Sequence, residues 1–495
     1  MEPELKKDNA NKTKAVALTL QDWLALAGTL ALSAMVVYGF AGWSRLPGLG
    51  VTVFTFSGAA LTFWRLWGSL NISKGGVFTV VCALLLALTY ALFANEDMRL
   101  MNLPVLTAAL LTGLYALSSG ADALPHGPRA LVSLAGRAVK DSVRHMDKPF
   151  RGVAALKKDQ HKSLKNLGLG LLIAIPVLAV ALRLLSSADE VFSAGLSKLL
   201  KGLSLTQGTG AAINIFLTLG LGLMLFSLIW GIRQPVNPVQ DKKAISLPVL
   251  TAAVVLGALI TAYALFVWVQ VNYLFGGAKS AAMAGGWAQY ARKGFFELVF
   301  IGALNIGLMS LTLKKGQRSL PLRVLNGALI LLSALMLLSA ARRMILYIEA
   351  FGFSLLRLIT LWAMAMILSA LAAFTVRLLH PDARLFRPLA ALALASWVGL
   401  NLLSPAALVA NWNAEAFIKG SLRTADTGYL ASLGADALPA LRRLQENGSL
   451  DAAEAIRDLH RRGPSPWYVW SLAEMKLDRE MLNNVFITPS GRTDK

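Results

Sequence analysis

The stretch YIEAFGFSLLRLITLWAM, residues 347 to 364, carries a carboxylate, Glu349, and a guanidinium, Arg357, inside one of the most apolar parts of the chain. An ionised side chain at the centre of a bilayer costs about 2.5 to 3.5 kcal/mol even on insertion scales, so such groups usually face a bundle interior and find partners. Gly352 and Ser354 indicate a break, with Ser354 as N-cap of the following helix and Arg357 in its first turn. A cation there opposes the positive end of the helix dipole and calls for a carboxylate or a bound anion. Glu349 is the closest candidate, and Arg342, seven residues earlier, shares its helix face. Asp189, Glu190, Gln270, Asn272, Tyr290, Arg292 and Glu297 map to the same outer half of the membrane. The expected site is therefore an ion-paired outer-leaflet pocket formed by Asp189, Glu190, Tyr290, Arg292, Glu297, Arg342, Tyr347, Glu349 and Arg357. Its bland counterpart is an ion-pair network that locks helices together and binds nothing.

The elements that must position these residues follow from composition. Of 495 residues 56% are hydrophobic and only 15% charged, and the mean hydropathy is +0.58, which excludes an ordinary soluble protein. A spanning helix needs about 20 mostly apolar residues. Windows at 20–42, 50–69, 76–94, 102–119, 166–186, 210–231, 247–273, 294–313, 322–345, 354–375 and 386–405 meet that need. The expected fold is an all-α transmembrane helix bundle of about 11 spans. The net charge of +21 would suggest nucleic acid in a soluble chain, but residues 1–405 carry all of the excess, 37 basic against 16 acidic groups. With the N-terminal segment (residues 1–19) inside, inner segments hold 25 Lys/Arg and outer loops 9, Arg45 and Arg99 among them. That bias sets an N-inside orientation. Arg65, near the inner end of its span, is expected to snorkel to the headgroups, and Arg183 to do the same at the outer end. The basic N-terminus followed by the long 20–42 segment reads as a first membrane helix rather than a signal peptide.

Outside the spans, the basic inner loop 120–165 places Leu131, Leu134, Val139 and Val143 loosely at helical spacing among Arg137, Lys140 and Arg144. It reads either as an amphipathic helix on the inner leaflet or as a solvated, topology-setting loop. Residues 188–203 put Phe192, Leu196, Leu199, Leu200 and Leu203 on one helical face, as expected of an outer interfacial helix. The tail, 406–495, is charge-neutral and reads as short helices with Gly, Asn and Pro breaks. It is expected to form a small extracytoplasmic domain docked on the outer face of the bundle.

The stretches ADEVF (188–192), YARKGFFEL (290–298), YIEAFGFSLLRL (347–358), DTGYLASLGADALPAL (426–441) and PWYVWSLAEMK (466–476) together resemble a bacterial family of multi-pass membrane proteins, domain of unknown function 4173, with its related 4153 group. The resemblance implies a multi-pass protein of the bacterial inner membrane, without an assigned activity or catalytic residue.

No phosphate loop, GxSxG elbow or HExxH is present, and the five histidines lie outside the spans without ligand spacing. The single cysteine, Cys82, rules out an intrachain disulfide. HPD at 380–382 lacks the flanking helices that such a tripeptide needs, and LGLGLML (219–225) suits close helix packing. No catalytic residue, metal or cofactor is expected, and neither is nucleic acid. The expected partners are membrane lipids and a small amphiphilic or anionic ligand, bound or moved through the outer pocket. The rival reading is a scaffold presenting the tail or the basic loop to other proteins.

Overall fold

A computed structural model describes residues 18–39, 45–119, 127–156, 208–234, 248–275, 295–313, 319–461 and 466–487. Among them the secondary structure is helical. The helices, in chain order, are α1 Leu20–Gly39, α2 Leu49–Leu66, α3 Lys74–Leu92, α4 Glu96–Ser119, α5 Pro128–Arg144, α6 Lys148–Leu156, α7 Gly208–Ile232, α8 Val249–Phe275 and α9 Phe295–Thr312. They continue with α10 Leu320–Phe351, α11 Leu355–Leu379, α12 Phe386–Leu402, α13 Pro405–Ile418, α14 Thr427–Ser432, α15 Leu438–Glu446, α16 Leu450–His460 and α17 Leu472–Ile487.

Eight of the described helices are long and apolar enough to cross a membrane, or nine if the bent pair α12 and α13 counts as one span. That pair turns by 57° at Ser404, whose φ of +52° lies in the left-handed region. A run of about 20 apolar residues satisfies its own backbone hydrogen bonds, which lipid cannot do, so helices are the natural form of these segments. The chain is a multi-pass membrane protein. The 166–186 window and the 188–203 segment lie outside the described residues.

Three packing centres organise the helices. Helices α8 to α11 share one core, with Leu256, Met309, Leu329, Ala340 and Leu371 buried in it. There Tyr263 donates to Asn305 at 3.0 Å and Asn305 donates to Ser333 at 2.8 Å, so these three polar side chains are paired with one another. Leu66, Leu114, Tyr115, Ala138 and Ile232 make a second core at the far ends of α2, α4 and α7, where α5 packs. The third joins α3, α4 and α12 to the tail. Leu86, Tyr90, Leu106 and Val398 belong to the same buried cluster as Leu430, Leu441, Leu444, Ile456 and Leu477.

This shared core explains how short C-terminal helices stay ordered. They do not close a hydrophobic centre of their own, but complete one begun by the spanning helices. Their polar groups then tie off three connections at one end of the bundle. Asn413 accepts from Phe353 N at 2.7 Å and donates to Phe353 O at 2.9 Å, while the Tyr429 hydroxyl accepts from Leu355 N at 2.9 Å, fixing the α10–α11 link. Asp436 holds the α3–α4 link. Residues 468 to 470 hold the start of α2, where Gly48 N and Leu49 N donate to the carbonyls of Tyr468 at 2.8 Å and Trp470 at 2.7 Å. The first N–H groups of any helix lack partners within it, and here the tail supplies carbonyls next to those of α2.

Candidate functional site

The structure concentrates buried charge where the tail meets the α3–α4 link. Asn95 caps α4 by accepting from Met98 N at 3.0 Å, and its amide donates to Leu433 O at 3.1 Å. One carboxylate oxygen of Asp436 accepts from both Ala94 N and Asn95 N, each at 2.9 Å. One turn into α4, Arg99 is buried and donates to the carbonyls of Leu46 (3.1 Å), Tyr90 (3.2 Å), Phe93 (2.8 Å) and Val469 (3.3 Å). Its Nε is buried without a hydrogen-bond partner among the described residues. Arg45 bridges Glu96 at 3.2 Å and the buried Glu474. Gly48 is confined by the guanidinium of Arg99 and the carbonyls of Val469 and Trp470, which a Cβ would strike.

Electrostatics at this junction are close to balanced. Two guanidiniums, Arg45 and Arg99, face the carboxyls of Glu96, Glu474 and Asp436. Burial pushes the Asp436 carboxyl up to about 6, although the N–H groups of Ala94 and Asn95 and the nearby Arg99 pull the other way. A buried carboxylate without full solvation resists ionising, so desolvation dominates. Beneath the junction, Trp397 Nε1 donates to Asn102 Oδ1 at 2.8 Å and Asn102 donates to Asn401 Oδ1 at 2.7 Å, locking α4 to α12.

Arg99 also lines a partly open apolar cavity of about 430 Å³ between α1, α2, α4 and α7. Leu46, Pro47 and Arg99 lie at its tail-side end; Leu103, Leu106 and Leu225 line its length; Leu114, Thr62 and Ile232 stand at the other. From Arg99 to Leu114 the rise along α4 is about 22 Å at about 1.5 Å per residue. The cavity is thus a greasy slot running along most of the hydrocarbon thickness of a bilayer, about 30 Å, with a polar junction at one mouth.

The residues expected from sequence are placed as follows. Tyr347 and Arg357 come together, the guanidinium lying 4.1 Å from the ring centroid. Ser354 caps α11, accepting from Arg357 N at 3.4 Å, and the preceding break falls at Gly352, φ +80°. Arg357 finds its compensation in the carbonyls of Phe351, at 3.3 Å, and Gly352 rather than in Glu349. These are the unpaired carbonyls at the C-terminus of α10, the negative end of that helix dipole, so a cation is favoured there even though it also begins α11. Glu349, Arg342 and Glu297 are exposed and make no ion pair among the described residues. Asp189, Glu190, Tyr290 and Arg292 lie outside the described residues, as does Arg183. Arg65 does not snorkel: it is buried and paired with Asp22, itself bonded by the backbone and hydroxyl of Thr19 at 2.9 and 2.7 Å.

Sequence reasoning assigned Arg45 and Arg99 to an outer loop and passed over Asp22, Asp436 and Glu474. A signal for Arg99 was present: NEDMR starts a helix at Asn95, so Arg99 sits one turn inside it, facing whatever packs there. Nothing in the spacing of Asp436, more than 300 residues away, pointed to it.

No curated protein and no solved structure matches the chain. A family model does, over residues 80–444, a span that takes in α3 to α15 with Arg99, Asn102, Asn401 and Asp436 and stops before Glu474. By that match the chain belongs to the family described as Domain of unknown function (DUF4153).

Proposed function

We propose that this protein binds, and through binding moves or presents, an amphiphile whose hydrocarbon chain lies in the slot between α1, α2, α4 and α7 and whose headgroup reaches the Arg99 junction. The slot carries the reading: it is long, almost wholly apolar in lining, and polar at one mouth. Ligand sites are typically concave and mostly apolar, with few polar groups to orient the ligand. The balance of two guanidiniums against three carboxyls disfavours a free anion and favours a neutral or zwitterionic headgroup, with Arg99 Nε as a donor still to be satisfied. The setting that fits is a bacterial inner membrane, a bundle of about 11 spans with the N-terminus inside and the tail outside. There the Tyr347–Arg357 pair at the α10–α11 link, with Asp189, Glu190, Tyr290, Arg292, Glu297, Arg342 and Glu349, would be a second polar patch on the same outer side. A relation to the 4173 group belongs to this reading too.

Lipid co-purification tests the slot. Filling it with Leu225→Trp or Leu103→Trp is expected to strip a bound lipid found by native mass spectrometry while the thermal midpoint changes little. An unchanged lipid complement in both folded variants would refute the reading. The scaffold reading is favoured by one observation, the exposure of Leu472 and Met475 on α17. It gains if Leu472→Ser with Met475→Ser abolishes capture of a protein partner while lipid binding persists.

A further inference from the structure

Helix α5 has two dissimilar faces. One packs on the ends of α4 and α7: Tyr115 of α4 donates to Asp141 at 2.8 Å, as does Arg137 at 3.2 Å, and Ser227 of α7 donates to Asp141 O at 2.5 Å while accepting from His145 N at 2.8 Å. Gly231 leaves room for the Asp141 side chain. Ser227 lies five residues before Ile232, where α7 ends, so the contact is within about 8 Å of the end of a spanning helix, the depth of headgroups and upper acyl carbons.

The opposite face is uncovered. Val132, Val139 and Val143 are 73%, 69% and 58% exposed, and their spacing of seven and four residues puts them in one stripe. Beside the stripe, about 90° round the helix at 3.6 residues per turn, stand Arg129, Lys140 and Arg144, all exposed and without an ion-pair partner among the described residues. Their neighbours are already engaged: Arg137 with Asp141, Arg151 with Asp147, and Lys148 over the Trp230 ring at 5.5 Å. Free cations bordering an apolar stripe, held at headgroup depth, are the build of a helix lying in a membrane interface. Positive charge there is attracted to anionic lipid within a Debye length of the surface.

We propose that α5 docks on anionic lipid at this end of the bundle, its valines in the acyl boundary and Arg129, Lys140 and Arg144 on headgroup phosphates. The surface is separate from the slot and stands whether or not the slot binds an amphiphile. The test uses the full chain carrying Val139→Cys, labelled with an environment-sensitive fluorophore, in nanodiscs of brominated phosphatidylcholine with or without brominated phosphatidylglycerol. Cys82 is buried, and unmutated protein reports any label it takes. The expected result is quenching that rises severalfold with phosphatidylglycerol, falls with salt, and is lost in Arg129→Gln, Lys140→Gln, Arg144→Gln protein of unchanged thermal midpoint. Val132→Cys serves as a second label site if the first variant does not fold. Equal quenching in both lipids, or a label reached by aqueous iodide in both, would overturn the proposal. So would protection that needs an added acidic polypeptide instead of anionic lipid.

Discussion

At the residue scale, Asp436 couples the tail to the bundle through two N–H groups and a carboxyl raised from 3.8 to about 6. That rise corresponds to about 3 kcal/mol of preference for the protonated carboxyl in the docked state. Because the docked carboxyl is harder to ionise than the free one, its stabilising contribution is fullest below about pH 4 and is lost as pH rises through about 6. Asp436→Asn keeps an acceptor oxygen and should flatten that dependence. Asp436→Ala leaves two buried donors unsatisfied, each costing about 1 to 3 kcal/mol. Hydrogen exchange at Ala94 and Asn95 between pH 4.5 and 7.5 reads both effects, and faster exchange in the Asn variant than in the Ala variant would contradict this role. Asp22 and Arg65 give a second case. Removing one partner from a buried pair costs about 3 to 5 kcal/mol, whereas replacing both with apolar residues is often neutral. Asp22→Leu alone should therefore lower the thermal midpoint sharply, and adding Arg65→Leu should restore most of it.

At the element scale, the connections govern how helices meet. Gly352, at φ +80° with Asn413 Oδ1 only 2.5 Å from the place of a Cβ, lets the chain leave α10 and start α11 within three residues. Gly352→Ala should cost about 1 to 3 kcal/mol for the extended, positive-φ backbone alone and more through Asn413. The expected signature is faster exchange at Phe353 and Leu355 with α10 itself intact; unaltered exchange there would mean the link is not held by the tail. Much of this scale was legible in the sequence. Apolar runs near 20 residues located the eight candidate spans among the described residues because lipid imposes a length and forbids unpaired backbone, and Gly352 and Ser354 announced the break. What sequence could not show was which charge meets which. Arg357 was paired with Glu349 by proximity along the chain, but helix-end carbonyls, which every sequence has and none displays, compete equally well for a cation. Arg65 and Asp22 lie on different helices, and only packing brings them together.

At the scale of the whole molecule, C-terminal helices close one end of a bundle and share a core with it. DTGYLASLGADALPAL, PWYVWSLAEMK and YIEAFGFSLLRL, three of the stretches that carry the family resemblance, converge there through Tyr429, Asp436, Trp470 and Gly352. Their convergence gives those separated stretches a common physical task, holding the links at one end of the bundle. If the tail is such a closure, Gly48→Ala should loosen residues 468–470 and admit protease to the tail while α8 to α11 stay folded; equal resistance in variant and parent would count against it. The most direct measurement is an experimental density map of the full chain in a lipid nanodisc. The expected result is a continuous chain-like density, not accounted for by protein, running from Arg99 past Leu106 toward Ile232. A slot filled by the protein's own side chains, with no such density, would contradict the assignment of an amphiphile site.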